Sequence, residues 1–144
     1  MKPGFDFELL YEVERASDEE FIPRIGRDDG AALFAVVFYY TSRKRTNVVV
    51  LDGGAGVGYS TLWLYYALES SCVSGCRLVA VEVRRERAEK LRELFYGRLK
   101  PRSGGVSVEV VHGDFVEFVK SLQSNSVDIA FVDVAKHQYL EAFR

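Results

Sequence analysis

The residues best suited to chemistry gather in residues 48–61, VVVLDGGAGVGYST. A short β-branched run ends in an acid, Asp52. It passes into Gly53, Gly54, Gly56 and Gly58, followed by Tyr59, Ser60 and a long apolar stretch. This is the pattern of a buried strand, a tight turn and the start of a helix. Glycines in such a turn let the backbone approach a ligand where a Cβ would collide. The helix start behind them offers unpaired N–H groups. The spacing G-x-G-x-G departs from the dinucleotide fingerprint G-x-G-x-x-G, with Tyr59 where the third glycine belongs, and the Gly-Lys-Ser/Thr of a phosphate-cradling loop is absent. By itself such a turn can be merely a tight connection.

Three further acids add weight to it. Glu82 closes the run RLVAVE, Asp114 follows VSVEVV through His112 and Gly113, and Asp133 closes VDIAFVD. With Asp52, every predicted strand then carries an acid at or just past its C-terminal end. In a parallel sheet those ends share one rim, where open α/β sheets bind ligands. Structural readings stand beside the functional one: Asp114 as a helix cap, Glu82 as a surface partner of Arg84 or Arg85. An acid after the second strand suits the two hydroxyls of a ribose. A rim of acids without a lysine-rich loop suits a cationic adenosyl ligand better than a pyrophosphate.

The elements that must hold these residues alternate. Residues 48–52, 77–82, 106–111 and 127–133 read as strands; residues 59–69, 84–99, 114–122 and 136–144 read as helices, with a turn over 100–105. Such alternation means a parallel sheet with right-handed crossovers. Residues 1–45 form an N-terminal helical segment and residues 46–144 the α/β core of a single domain. In the N-terminal segment, residues 5–15 look helical. Ser17 and Glu20 have capping-box spacing for a new helix, Pro23 stops or bends that helix, and Asp28 or Asp29 can cap another over 30–42. The run AALFAVVFYY in that last helix predicts burial along most of its length. Four strands make a small sheet, and its last strand is expected at an open edge that invites a second chain, as in a homodimer, or needs a cover.

Composition narrows the classes. With 144 residues and 48% hydrophobic residues the chain can bury a real core. A net charge of −2 argues against a general electrostatic hold on nucleic acid. No apolar run approaches the roughly 20 residues that span a bilayer, and MKPGFDFELLYEVE has no signal-peptide core, so a cytoplasmic protein is expected. Cys72 and Cys76 have the wrong spacing for a zinc knuckle and no second pair. They read as two loop thiols, a local disulfide being disfavoured in a reducing cytosol. His112 reads as a turn histidine, while His137 lies near enough to Asp133 in sequence to approach a metal. Trp63, Tyr65 and Tyr66 read as packing, and the interleaved charges of residues 84–93 as a solvated helix face.

VLDGGAGVGYS, VAVEV, HGDF and VDIAFVDVAKHQY, in this order and spacing, resemble the class I S-adenosylmethionine-dependent methyltransferases. Within these the chain is most similar to the cation-dependent O-methyltransferases of the catechol and caffeoyl-CoA type. The resemblance implies a Rossmann-like three-layer α/β/α fold with strand order 3-2-1-4, here without the last strands. It implies that Asp52 and Gly53, Gly54, Gly56 and Gly58 hold the methionine part of S-adenosylmethionine, with helix N-terminal contacts at Tyr59 and Ser60. Glu82 would take the ribose hydroxyls, Val83 would flank the adenine, and Asp114 and Phe115 would meet its edge. Asp133 would ligate a divalent cation such as Mg²⁺ beside the methyl donor, and Lys136 would be the base that deprotonates a small-molecule hydroxyl. In those enzymes an Asp-Asn pair on a fifth strand completes the metal site. It is not among these 144 residues, and one acid is a poor anchor for an ion that wants six oxygens. A cofactor-binding or interaction module without methyl transfer is therefore the alternative reading. A nicotinamide-binding domain and a nucleic-acid amino-methyltransferase fit less well: Tyr59 replaces the third glycine, and Asp133-Val134-Ala135-Lys136 stands where an Asn/Asp-Pro-Pro-aromatic motif would be.

Overall fold

The computed structural model describes residues 5–99 and 105–133. The expected turn over 100–105 falls mostly outside them. So do the helix over 136–144, Lys136 and His137. Two helices, α1 (Phe7–Glu19) and α2 (Arg27–Lys44), precede the alternating core: β1 (Val49–Gly53), α3 (Tyr59–Ser71), β2 (Cys76–Glu82), α4 (Arg85–Arg92), β3 (Val106–His112), α5 (Phe115–Lys120) and β4 (Ile129–Val132). The strands form one parallel sheet in the expected order β3-β2-β1-β4. Side-chain alternation along the strands feeds two cores. Val50, Leu78 and Ala80 face the cluster built with α1, α3 and α4, whereas Leu51, Val79 and Val81 face Phe115 and Val116 of α5. The register pairs Gly53 with Val81 and Val132, and Glu82 with His112, so all four strands end on one rim.

The N-terminal segment differs from expectation. Ser17 starts no helix. It lies inside α1, buried, with its hydroxyl donating to the Val13 carbonyl at 2.9 Å. A Schellman motif ends α1: Ile22 N–H bonds Ser17 O at 2.8 Å and Phe21 N–H bonds Asp18 O at 3.2 Å. Phe21 takes the left-handed position usual for glycine, at φ 54°. Gly26, rather than Asp28 or Asp29, is the N-cap of α2, and the two acids sit in its first turn, where they favour the helix dipole. The predicted burial of AALFAVVFYY is also corrected. Only Gly30, Val37 and Thr41 of α2 are buried, while Val36 and Tyr39 are 58% and 65% exposed. The helix packs closely on α3, with Gly30 against Trp63, and its outer side stays exposed.

Two further differences are local. Residues 84–99 do not form one regular helix: α4 widens after Arg92 into a π-helical stretch, Glu93–Arg98. Cys72 and Cys76 are joined in a disulfide rather than left as loop thiols. Gly75, at φ 74°, allows the tight loop that brings their Cα atoms to 6.4 Å.

Candidate functional site

A cavity of about 310 Å³ opens on the C-terminal rim of the sheet, within the size range of small-molecule sites. Gly54 and Gly56 of the β1–α3 turn line it, together with Glu82, Val83, Asp114, Phe115 and Asp133. The β1–α3, β2–α4 and β3–α5 loops meet the end of β4 there because the parallel strands end in register. The glycines divide by task. Gly54 and Gly56 adopt φ of 80° and 62° on the cavity wall. Gly53 and Gly58 do not line it: a Cβ on Gly53 would stand 2.5 Å from the Phe115 ring, and one on Gly58 2.8 Å from Leu94. These two serve close packing, and Gly53 lets Phe115 reach the rim.

Glu82 is the hinge of the wall. Its carboxylate accepts from Gly56 N–H and Arg84 N–H, each at 2.8 Å, so it fixes the glycine turn against the β2–α4 loop. A carboxylate has about four acceptor positions, which leaves Glu82 capacity for hydroxyl donors. Arg84 and Glu82 are thus neighbours through the Arg84 backbone amide. Asp114 caps α5, accepting from Glu117 N–H at 3.0 Å, and still borders the cavity. Asp133 is held at the end of β4 by its N–H on Gly53 O at 2.8 Å. His112 points its Nε2 to the Val83 carbonyl at 3.0 Å, a turn role that steadies the same loop.

Asp52 stands one residue back from the cavity. It is fully buried, and its Oδ2 accepts from Ser60 and Thr61 hydroxyls at 2.9 and 2.7 Å. Its Oδ1 has no partner among the described residues. Burial pushes its pKa up to about 6, against the pull of the Thr61 and Ser60 hydroxyls, with Asp133 and Glu82 adding repulsion. Ser60 lies between Asp52 and a narrow cleft that continues the site past Gly54 and Gly56. Tyr59, in the third-glycine place, does not line the cavity but borders the narrow cleft. It is buried, with its hydroxyl on Glu14 at 2.9 Å.

Sequence reading misses the far wall. Pro23 lines the cavity, and Ile22, Pro23, Arg24 and Ile25 face the glycine turn across the narrow cleft. Arg87 also reaches the cavity. Pro23 signals only a helix stop, and no periodicity links residues 22–25 to a turn some thirty residues later.

The described residues do not fit a divalent cation. They contain no cluster of three or more His, Cys, Asp or Glu side chains able to hold a metal, and Asp133 alone is one ligand where Mg²⁺ needs six oxygens. An adenosyl compound fits better: the cavity offers a spare carboxylate at Glu82, an apolar wall at Val83 and Phe115, and glycine backbone at Gly54 and Gly56.

A family model described as a methyltransferase domain matches residues 51–144. No curated protein matches by sequence. Among solved structures, a methyltransferase from Geobacter sulfurreducens superposes with a TM-score of 0.66 at 20% identity, over 97% of this chain and 67% of that one. An O-methyltransferase from Bacillus cereus, in complex with SAH, gives 0.65 at 24% identity over 94% and 59%. A cofactor-bound protein from MTB gives 0.66 at 25% identity over 95% and 59%. The chain thus spans about three fifths of the last two and two thirds of the first.

Proposed function

The chain belongs to the methyltransferase-domain family, and from that premise we propose that it binds S-adenosylmethionine on the rim of its sheet and directs methyl transfer to an oxygen of a small molecule. The observation that carries this is the convergence of Glu82, Asp114, Phe115 and Asp133 with the Gly54–Gly56 backbone around one cavity. Glu82 takes the ribose hydroxyls, Val83 and Phe115 hold the adenine between them, and Asp114 meets its edge. Asp52, through Ser60, supports the methionine end, with Tyr59 and Ser60 opening the helix beneath it. The cofactor, when bound, supplies a methyl group on a sulfonium. The chain's task is to fix that group in line with an acceptor, and positioning is worth much of such a barrier. Asp133 lies at the acceptor side, and Lys136, three residues on, is the base in this reading. A lysine that is desolvated or beside a cation has the lowered pKa that role needs.

Calorimetry with S-adenosylmethionine and S-adenosylhomocysteine tests the proposal; absence of heat at millimolar ligand refutes it. A second reading is cofactor binding without transfer. Binding without loss of methyl to a panel of hydroxylated acceptors, with and without Mg²⁺, would select it. Among the described residues β4 is the outermost strand on its side of the sheet. An edge of that kind supports pairing with a second copy, and a solution mass decides it. No helix of the described residues is long and apolar enough to cross a membrane. We place the protein in the cytoplasm, against which the Cys72–Cys76 disulfide is the one observation.

A further inference from the structure

The segment joining α1 to α2 crosses directly over the glycine turn. Ile22, Pro23, Arg24 and Ile25 face Gly54, Gly56 and Ser60 across a cleft of about 10 Å³, room for about one water molecule. Ile22 is buried, and its Cγ2 stands 3.7 Å from where a Cβ on Gly56 would be. This strap is therefore the outer wall of the site at its methionine end, and it lies closed on the turn.

A charge cluster on α1 holds it there. The Arg24 guanidinium forks onto Asp18, with Nε to Oδ1 at 3.0 Å and Nη2 to Oδ2 at 3.1 Å. Its Nη1 donates to its neighbour's carbonyl, Ile25 O, at 3.0 Å. The same guanidinium lies 5.1 Å over the Tyr59 ring and 3.9 Å from Glu14. Glu14 is buried and accepts from Arg27 at 2.7 and 3.0 Å and from the Tyr59 hydroxyl at 2.9 Å. Arg27 holds its carboxyl down to about 2, so it is charged at every working pH. The cluster thus joins α1, the strap, the start of α2 and the first residue of α3. Bidentate charged pairs of this kind set geometry as well as energy.

We infer that Arg24, anchored by Asp18 and Glu14, is a positioning residue for cofactor binding: it sets the height of the Ile22–Ile25 strap over the glycine turn. This rests on the adenosyl-cofactor reading and deepens it. The methionine end of the ligand needs more room than one water, so the strap must rise to admit it and settle again to hold it. Asp18 is 59% exposed at its side chain and lines neither the cavity nor the cleft, yet it fixes the fork that holds the strap.

The test compares wild type with Asp18→Ala, Asp18→Asn, Arg24→Met and Arg24→Lys, using S-adenosylhomocysteine in calorimetry and hydrogen exchange over residues 22–25. The expected result is binding weakened about tenfold in Asp18→Ala and Arg24→Met, the worth of one charged hydrogen bond. Arg24→Lys, which keeps the charge and loses the fork, should recover part of it. The Asp18→Ala/Arg24→Met double variant should be no weaker than Arg24→Met alone, because Asp18 acts through Arg24. Exchange at residues 22–25 should slow on ligand binding in wild type and less so in the variants. Asp18→Asn, with its smaller perturbation, covers the case in which a truncation fails to fold. If wild type binds and the folded variants match it within twofold, the positioning role is overturned while the cofactor reading stands. If wild type shows no binding, the cofactor reading falls and takes this role with it.

Discussion

Asp52 makes a sharp test of how the site is built. Its carboxyl has a pKa raised from 3.8 to about 6, first by burial, against two hydroxyl donors. The folded pKa lies above the unfolded one. Its contribution to stability is therefore fullest below about pH 4 and is lost as pH rises through 6, after which the fold carries a buried charge with one oxygen unpartnered. The shift of about 2 units corresponds to about 3 kcal/mol at most. Between pH 4 and pH 8 the integrated change is roughly 2 to 3 kcal/mol, because the unfolded carboxyl is already half ionised at pH 4. Asp52→Asn removes this dependence. The amide brings its own cost, an extra N–H₂ to satisfy, but that cost is the same at both pH values and cancels in the difference. Urea unfolding of both proteins at pH 4 and pH 8 measures it. The variant should gain on wild type by roughly 2 kcal/mol between the two. A gain below about 0.5 kcal/mol would mean that Asp52 is already ionised at pH 4 in the folded protein, and the burial argument would fail.

Other substitutions separate packing from binding. Glu82→Gln should weaken S-adenosylhomocysteine binding by about ten- to a hundredfold in calorimetry, since the amide cannot accept from both Gly56 and Arg84 N–H and still serve two hydroxyls. Gly58→Ala forces a Cβ to φ 110° and within 2.8 Å of Leu94; a loss of about 2 kcal/mol in denaturant unfolding is expected. Ligand affinity of the folded fraction should be unchanged. Gly56→Ala, whose Cβ would sit at φ 62° and meet only Ile22 Cγ2 at 3.7 Å, an ordinary contact, should cost less stability than Gly58→Ala and more affinity. Phe21→Gly should raise stability by about 1 kcal/mol, because an exposed phenylalanine occupies a left-handed helix end at φ 54°; an unchanged melting curve would contradict this.

The strands and the acid at or just past each strand end are legible because both follow from local patterns, whereas the strand order rests on the family resemblance. Apolar runs that end in Asp or Glu mark the strands, and parallel pairing then delivers those ends to one rim. The N-terminal half is less legible for a definite reason. Glu14 meets Arg27 across thirteen residues and Tyr59 across forty-five, and no periodicity encodes such pairs. In α2 the apolar run reports which side chains could be buried, while burial depends on how much surface is available to receive them. Here α3 receives one side. The capping-box spacing at Ser17 misleads because the hydroxyl has a competing acceptor within α1, the Val13 carbonyl.

The structural and functional readings of the rim acids do not compete as the sequence suggests. Asp114 does cap α5, and Glu82 does tie down two backbone amides. What separates a structural acid from a binding one is spare acceptor capacity facing a cavity. Glu82 has it: its two backbone partners leave about half its acceptor positions open at the wall. Asp52 has a spare oxygen, Oδ1, but it is buried away from the cavity, and the hydroxyl that reaches the cleft, Ser60, is held on Oδ2. The carboxylate nearest the glycine turn in sequence therefore stands one side chain back from the cleft, behind the Ser60 hydroxyl. Glu82, the acid most engaged with the backbone, also lines the cavity, as Asp114 and Asp133 do. The amides that Glu82 anchors belong to the two loops flanking the cavity, so a ligand drawing on its remaining acceptors would tighten the glycine turn and the β2–α4 loop together.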